Sequence, residues 1–83
     1  MNTNTNSSKE VFPLLLAKEN ESVTVTALKG GQQFKQKCID MGIIPGANIE
    51  ILINSGSGPC AVLLNNSRMV IGQGMLQRIF VKR

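Results

Sequence analysis

Histidine, tryptophan and tyrosine are absent from this chain of 83 residues, and phenylalanine occurs only three times. Without histidine there is no Ser-His-Asp or Cys-His nucleophile pair and no imidazole metal ligand. Few aromatics leave little material for a platform on which nucleic-acid bases stack. Acidic residues are also scarce: five Asp and Glu stand against nine Lys and Arg, for a net charge of +4. No two of Glu10, Glu19, Glu21, Asp40 and Glu50 have a spacing that suggests a general acid–base pair, so no enzyme is expected. No apolar run approaches the roughly 20 residues of a spanning helix, so the chain is not expected to span a membrane.

Two cysteines, Cys38 and Cys60, lie far apart and form no Cys-x-x-Cys pair. A structural zinc site takes four Cys or His ligands, and these two, with Met41 near Cys38, fall short of that count unless copies share a site. They are therefore weak candidates as ligands of a transition metal. The plainer reading is a pair of buried, reduced thiols. The polar start of the chain lacks the apolar stretch of a secretory signal, which points to the cytoplasm.

What is present fits one small domain. Residues 1–11 read as a flexible polar tail and residues 12–83 as the folded unit. The apolar stretch Phe12–Ala17 contains Pro13, which argues against a central strand and for a lead-in segment closing one side of the core. Ser22–Leu28 alternates as a strand, with Val23, Val25 and Ala27 on one face. Gln32–Met41 is the best helix, carrying Phe34, Cys38 and Met41 as one stripe, with Lys35 and Ile39 on an adjacent face. Gly42 suits a left-handed helix end, and Pro45-Gly46 suits a type II turn. Asn48–Ile53 is a strand with Ile49, Ile51 and Ile53 alternating, and it pairs in a hairpin with Cys60–Leu64. A tight turn at Asn65-Asn66-Ser67 leads to a strand over Arg68–Ile71. Gly72–Gln77 reads as a single helical turn, and Arg78–Lys82 closes the chain as a fifth strand. The expected fold class is mainly β: a small, nearly closed barrel of about five strands with one short inserted helix.

Gly72-Gln73-Gly74 begins like a dinucleotide-binding turn, but Gln77 stands where the third glycine would be, and the glycines are read as permitting a bend. Lys29, Lys35 and Lys37 form one basic group; Arg68, Arg78, Lys82 and Arg83 form a second. These keep a small-barrel RNA-binding protein open as an alternative function, although a solvated basic surface is the simpler reading.

Asp40-Met41-Gly42-Ile43-Ile44-Pro45-Gly46, with Gly30-Gly31 upstream and the stretch Met69–Val81 downstream, resembles the FeoA family of small cytoplasmic proteins of bacterial ferrous iron uptake. The likeness runs from about Phe12 to Val81, and the helix-Gly-x-x-Pro-Gly turn is its specific part. It implies an SH3-like barrel and a role beside FeoB, the membrane iron transporter with a cytosolic G domain. A transition metal such as iron or zinc is implied by the family's usual label only. The same fold occurs as the C-terminal domain of metal-dependent repressors of the diphtheria-toxin type, a context not expected here because residues 1–11 offer no DNA-binding helices. Cys38 and Leu76 depart from the family's common Leu and Ala.

On this reading the chain is an adaptor that docks on the transporter's cytosolic region, at the inner face of the membrane through that partner, and not on nucleic acid. The expected docking residues are Lys35, Lys37, Met41, Ile43, Ile44 and Pro45, with Gly42 and Gly46 as structural turn residues and no catalytic residue. Ile43 and Ile44 cannot easily both face the core, so at least one is expected on the surface as an anchor, the alternative being that both pack under the helix end.

Overall fold

The computed structural model describes residues 10–83. The alternating β-branched segments become strands: β1 (Val11–Pro13), β2 (Ser22–Leu28), β3 (Asn48–Asn54), β4 (Cys60–Leu64), β5 (Ser67–Ile71) and β6 (Ile79–Lys82). Helix α1 (Gln32–Met41) joins β2 to β3, and the single-turn helix α2 (Gln73–Leu76) joins β5 to β6. Every neighbouring pair is antiparallel, in the spatial order β1-β6-β2-β3-β4-β5.

The inner face carries the core. Val23 and Val25, Ile49 and Ile51, Cys60, Val62 and Leu64, Ile71, and Ile79 and Val81 are all buried, sealed by Leu14, Cys38, Ile43 and Leu76 from outside the strands. No polar or charged side chain is buried among the described residues. Asn54 ties the sheet to the 3₁₀ turn at Leu14–Leu16: its Nδ2 donates to the carbonyls of Leu15 and Ala17, at 3.1 and 2.7 Å.

Six strands stand where five were expected. The lead-in segment is itself part strand, because Val11–Pro13 pairs with β6 at the sheet margin. Pro13 is tolerated there because an edge strand leaves backbone donors unpaired on its outer side. Val11 thus belongs to the sheet and not to the expected 1–11 tail; residues 1–9 of that tail lie outside the described residues. The barrel's ladder is not closed by hydrogen bonds, since β1 and β5 each have a single strand neighbour among the described residues.

Two strand faces also differ from strict alternation, for one reason. A β-bulge shifts the register between Ile51 and Ile53, so Ile53 opposes Ala61 and points outward, half exposed. A second bulge, between Val25 and Ala27, sets Ala27 opposite Phe80 and away from the face of Val23 and Val25. The extra residue, Thr26, donates its hydroxyl to the Phe80 carbonyl at 3.1 Å. Bulges bend the strands that carry them, which a six-stranded sheet needs in order to wrap so small a core.

Candidate functional site

The end of α1 is held by backbone bonds. Gly42 adopts φ +88°, and its N–H donates to the Ile39 carbonyl at 2.9 Å, while the N–H of Ile43 donates to Cys38 at 2.8 Å. That pair of bonds is a Schellman motif, in which the residue after the left-handed one folds back against the last helical turn. Ile43 accordingly has no exposed surface, and neither does Cys38. The following turn is closed by a bond from the Ala47 N–H to the Ile44 carbonyl at 2.9 Å, with Pro45 and Gly46 at its corners and Gly46 at φ +96°. This is the angle a type II turn needs at that position. The turn is then fixed to β2 by two more bonds, Gly46 N–H to Val25 carbonyl and Val25 N–H to Ala47 carbonyl.

The two isoleucines therefore part company. Ile43 goes into the core, and Ile44 stands 46% exposed on a turn bonded to the sheet. Pro45 is exposed beside it, as are Lys35 and Lys37 on α1. Met41 is half-buried against the core and offers little surface. Ile39, half exposed on α1, was not among the expected docking residues. Its signal was present, since it lies off the Phe34–Cys38–Met41 stripe and a large apolar residue there has no core to enter.

The ion pair among the described residues joins Arg83 to Glu21, so Lys35 and Lys37 are not drawn into carboxylate pairs there. Three cations lie over rings, Arg83 again among them: Lys29 over Phe80 at 5.4 Å, Arg78 over Phe34 at 6.0 Å, and Arg83 over Phe12 at 4.4 Å. All three phenylalanines are half-buried, and each has a cation near its ring.

Both cysteines sit inside the core. Burial pushes the Cys38 thiol up, against a smaller opposing pull from Lys37, and pushes the Cys60 thiol up with a further contribution from Glu19. Metal ligation needs accessible thiolates, and these are neutral, enclosed thiols. No group of three or more Cys, Asp or Glu side chains gathers among the described residues in a way that could hold an ion. The donor set does not fit an iron or zinc site. A shallow depression bordered by Ser22, Asn48, Glu50, Leu63, Asn65 and Asn66 is open to solvent and likewise lacks a cluster of reactive groups.

The family model described as "FeoA domain" matches residues 12–83. A relative from Methanocaldococcus jannaschii, named as an Fe(2+) transport protein A, is 32% identical over 72 residues, covering 87% of each chain. A crystal structure described as iron uptake regulatory protein (FeoA) superposes with a TM-score of 0.83 at 32% identity, covering 88% of this chain and 97% of that one. A manganese-dependent transcriptional repressor shares the fold at TM-score 0.79 and 18% identity, over 87% of this chain and 41% of the repressor. The family match takes in all six strands but the first residue of β1, together with the turn that sets Ile43 inward and Ile44 outward, and the chain belongs to the FeoA family.

Proposed function

We propose that this protein is an accessory component of ferrous iron uptake, acting in the cytoplasm by docking on the cytosolic region of a FeoB-like membrane transporter and performing no reaction of its own. Its relative's name, an Fe(2+) transport protein, supports the pathway. Iron is then the transporter's cargo, and nothing in this chain's donor set needs to hold it. No helix among the described residues is long and apolar enough to cross a membrane, so contact with the membrane face would come through the partner.

The observation that carries the docking reading is Ile44. A large apolar side chain, nearly half exposed, sits on a turn already fixed to β2 by backbone bonds. Presenting it therefore requires little further ordering on binding. Burying its remaining surface contributes about 1 kcal/mol. Lys35 and Lys37 on the preceding helix favour an acidic partner and speed encounter at low salt.

Calorimetric titration of the full chain into the transporter's cytosolic domain, at two salt concentrations, tests this. The expected result is measurable binding that weakens as salt rises, abolished by Ile44→Asp and retained by Ile44→Leu. Absence of heat at high protein concentration, or undiminished binding by Ile44→Asp, defeats the reading.

A further inference from the structure

Among the described residues the sheet has two free edges, and they are not alike. Strand β1 is three residues long and ends on Pro13, which has no N–H to offer an incoming strand. Short length and proline are common ways of blunting an edge. Strand β5 has neither. It pairs with β4 in unbroken register from Leu64↔Ser67 to Cys60↔Ile71, and with no other strand among the described residues. It contains no proline, no lysine and no bulge. Its outward side chains are Arg68 and Val70, and Val70 is 63% exposed.

Val70 is also the end of an apolar row. The register sets Val70 beside Ala61, and Ala61 beside Ile53, across the outer face of three strands. The row exists because the bulge after Ile51 turns Ile53 outward. It runs to the open edge and stops there.

We propose that β5 pairs antiparallel with β5 of a second copy of this chain, about a twofold axis at Val70, so that one sheet runs through two molecules. For the outer faces to be continuous, outward residues must meet outward residues, which restricts the axis to a few positions. An axis at Arg68 opposes two like charges directly, which is destabilising. An axis at Met69 sets Arg68 against the copy's Val70 and ends both apolar rows on a charge. An axis at Val70 joins the rows into one stripe, Ile53–Ala61–Val70 followed by the same three residues in reverse. Met69 then faces Ile71, and Arg68 faces Gly72. Space is available there, since a Cβ added at Gly72 would meet nothing within 4 Å. The two Arg68 residues stand four positions apart along the strands, roughly 14 Å at 3.4 Å per residue. That exceeds the screening length of about 8 Å at physiological salt.

The edge is complementary to itself, which favours a second copy as the occupant. The row is uncharged along its length, so two chains of net charge +4 can meet on it without opposed like charges. Pairing satisfies the free backbone groups of both edges and covers both exposed valines in an isologous contact. This surface is built from β3, β4 and β5, and its test is independent of transporter docking.

The experiment is sedimentation equilibrium of the full chain over a dilution series, with circular dichroism to monitor the fold. Wild type is expected to rise from one chain mass toward two as concentration increases. Val70→Lys and Val70→Glu, both at an exposed position, are each expected to keep the wild-type spectrum and weaken association by at least about tenfold. Mixed in equal amounts they are expected to reassociate, because Lys then faces Glu across the axis. Amide exchange supplies a readout without mutation: β5 amides should gain protection with concentration while β1 amides do not. A single chain mass at every concentration overturns the proposal. So does a dimer indifferent to Val70→Lys, or a mixture of the two variants that stays monomeric.

Discussion

Adjacent residues of one type, Ile43 and Ile44, have opposite fates here, and the cause is a single backbone angle. Gly42 at φ +88° folds the chain back so that Ile43 packs under Cys38. Ile43→Asp buries an unpaired carboxylate and is expected to cost more than about 4 kcal/mol in urea unfolding. Ile44→Asp is expected to stay within about 0.5 kcal/mol of wild type, because its site faces water. Gly42→Ala is expected to lose about 1–2 kcal/mol from the left-handed angle alone, since Leu64 and Asn65 at 3.6 Å leave room for the methyl. Gly30 is different: an added Cβ would come within 2.5 Å of the Phe34 ring, so Gly30→Ala must displace that ring from the core margin. The cysteines belong to this scale too. Burial raises both thiols above their ordinary value of 9.0, so the folded chain holds these protons more tightly than the unfolded chain does. Their contribution to stability is complete below about pH 9 and is lost as pH rises through the folded values. Maleimide labelling at neutral pH should leave both thiols untouched in the native protein and modify both in urea.

Among the elements, the helix was legible in its entirety, and the strands only in part. Gln32–Met41 has the predicted bounds because the apolar stripe, the preceding glycines and the closing Gly42 all act locally. The hairpin turn between β4 and β5 is local as well. Asn65 and Asn66 adopt φ +53° and +64°, both positive, as a two-residue type I′ turn requires. Glycine is better still at the second position, so Asn66→Gly is expected to raise stability by up to about 1 kcal/mol. Asn66→Val is expected to lower it by about 1–2 kcal/mol, with thermal unfolding as the measurement. The faces of Ala27 and Ile53 could not be read in advance. An alternating pattern carries no mark of where a register will slip by one residue, and at both bulges it slips.

Across the whole molecule, contacts distant in sequence hold the sheet in place. Glu21, just before β2, takes the Lys18 N–H at 2.8 Å and pairs with Arg83 at the far end of the chain. The bond from Lys18 holds its carboxyl below the ordinary value of 4.5; burial works against this, and Arg83 adds to it. The folded chain thus releases this proton more readily than the unfolded chain. Glu21 stabilises fully above about pH 4.5, and that stability disappears as pH falls through the folded value. Urea unfolding from about pH 6 to about pH 2 should show the loss, and Glu21→Gln should flatten it. Composition and local pattern by themselves determined a small, mainly β domain, one helix, its left-handed end and the turn behind it, because each rests on neighbouring residues and backbone angles. The tertiary structure alone decided the sixth strand, the outward turn of Ile53 and the open edge at β5. Each of these depends on which strand lies alongside and in what register, and that follows from the packing of residues far apart in the chain.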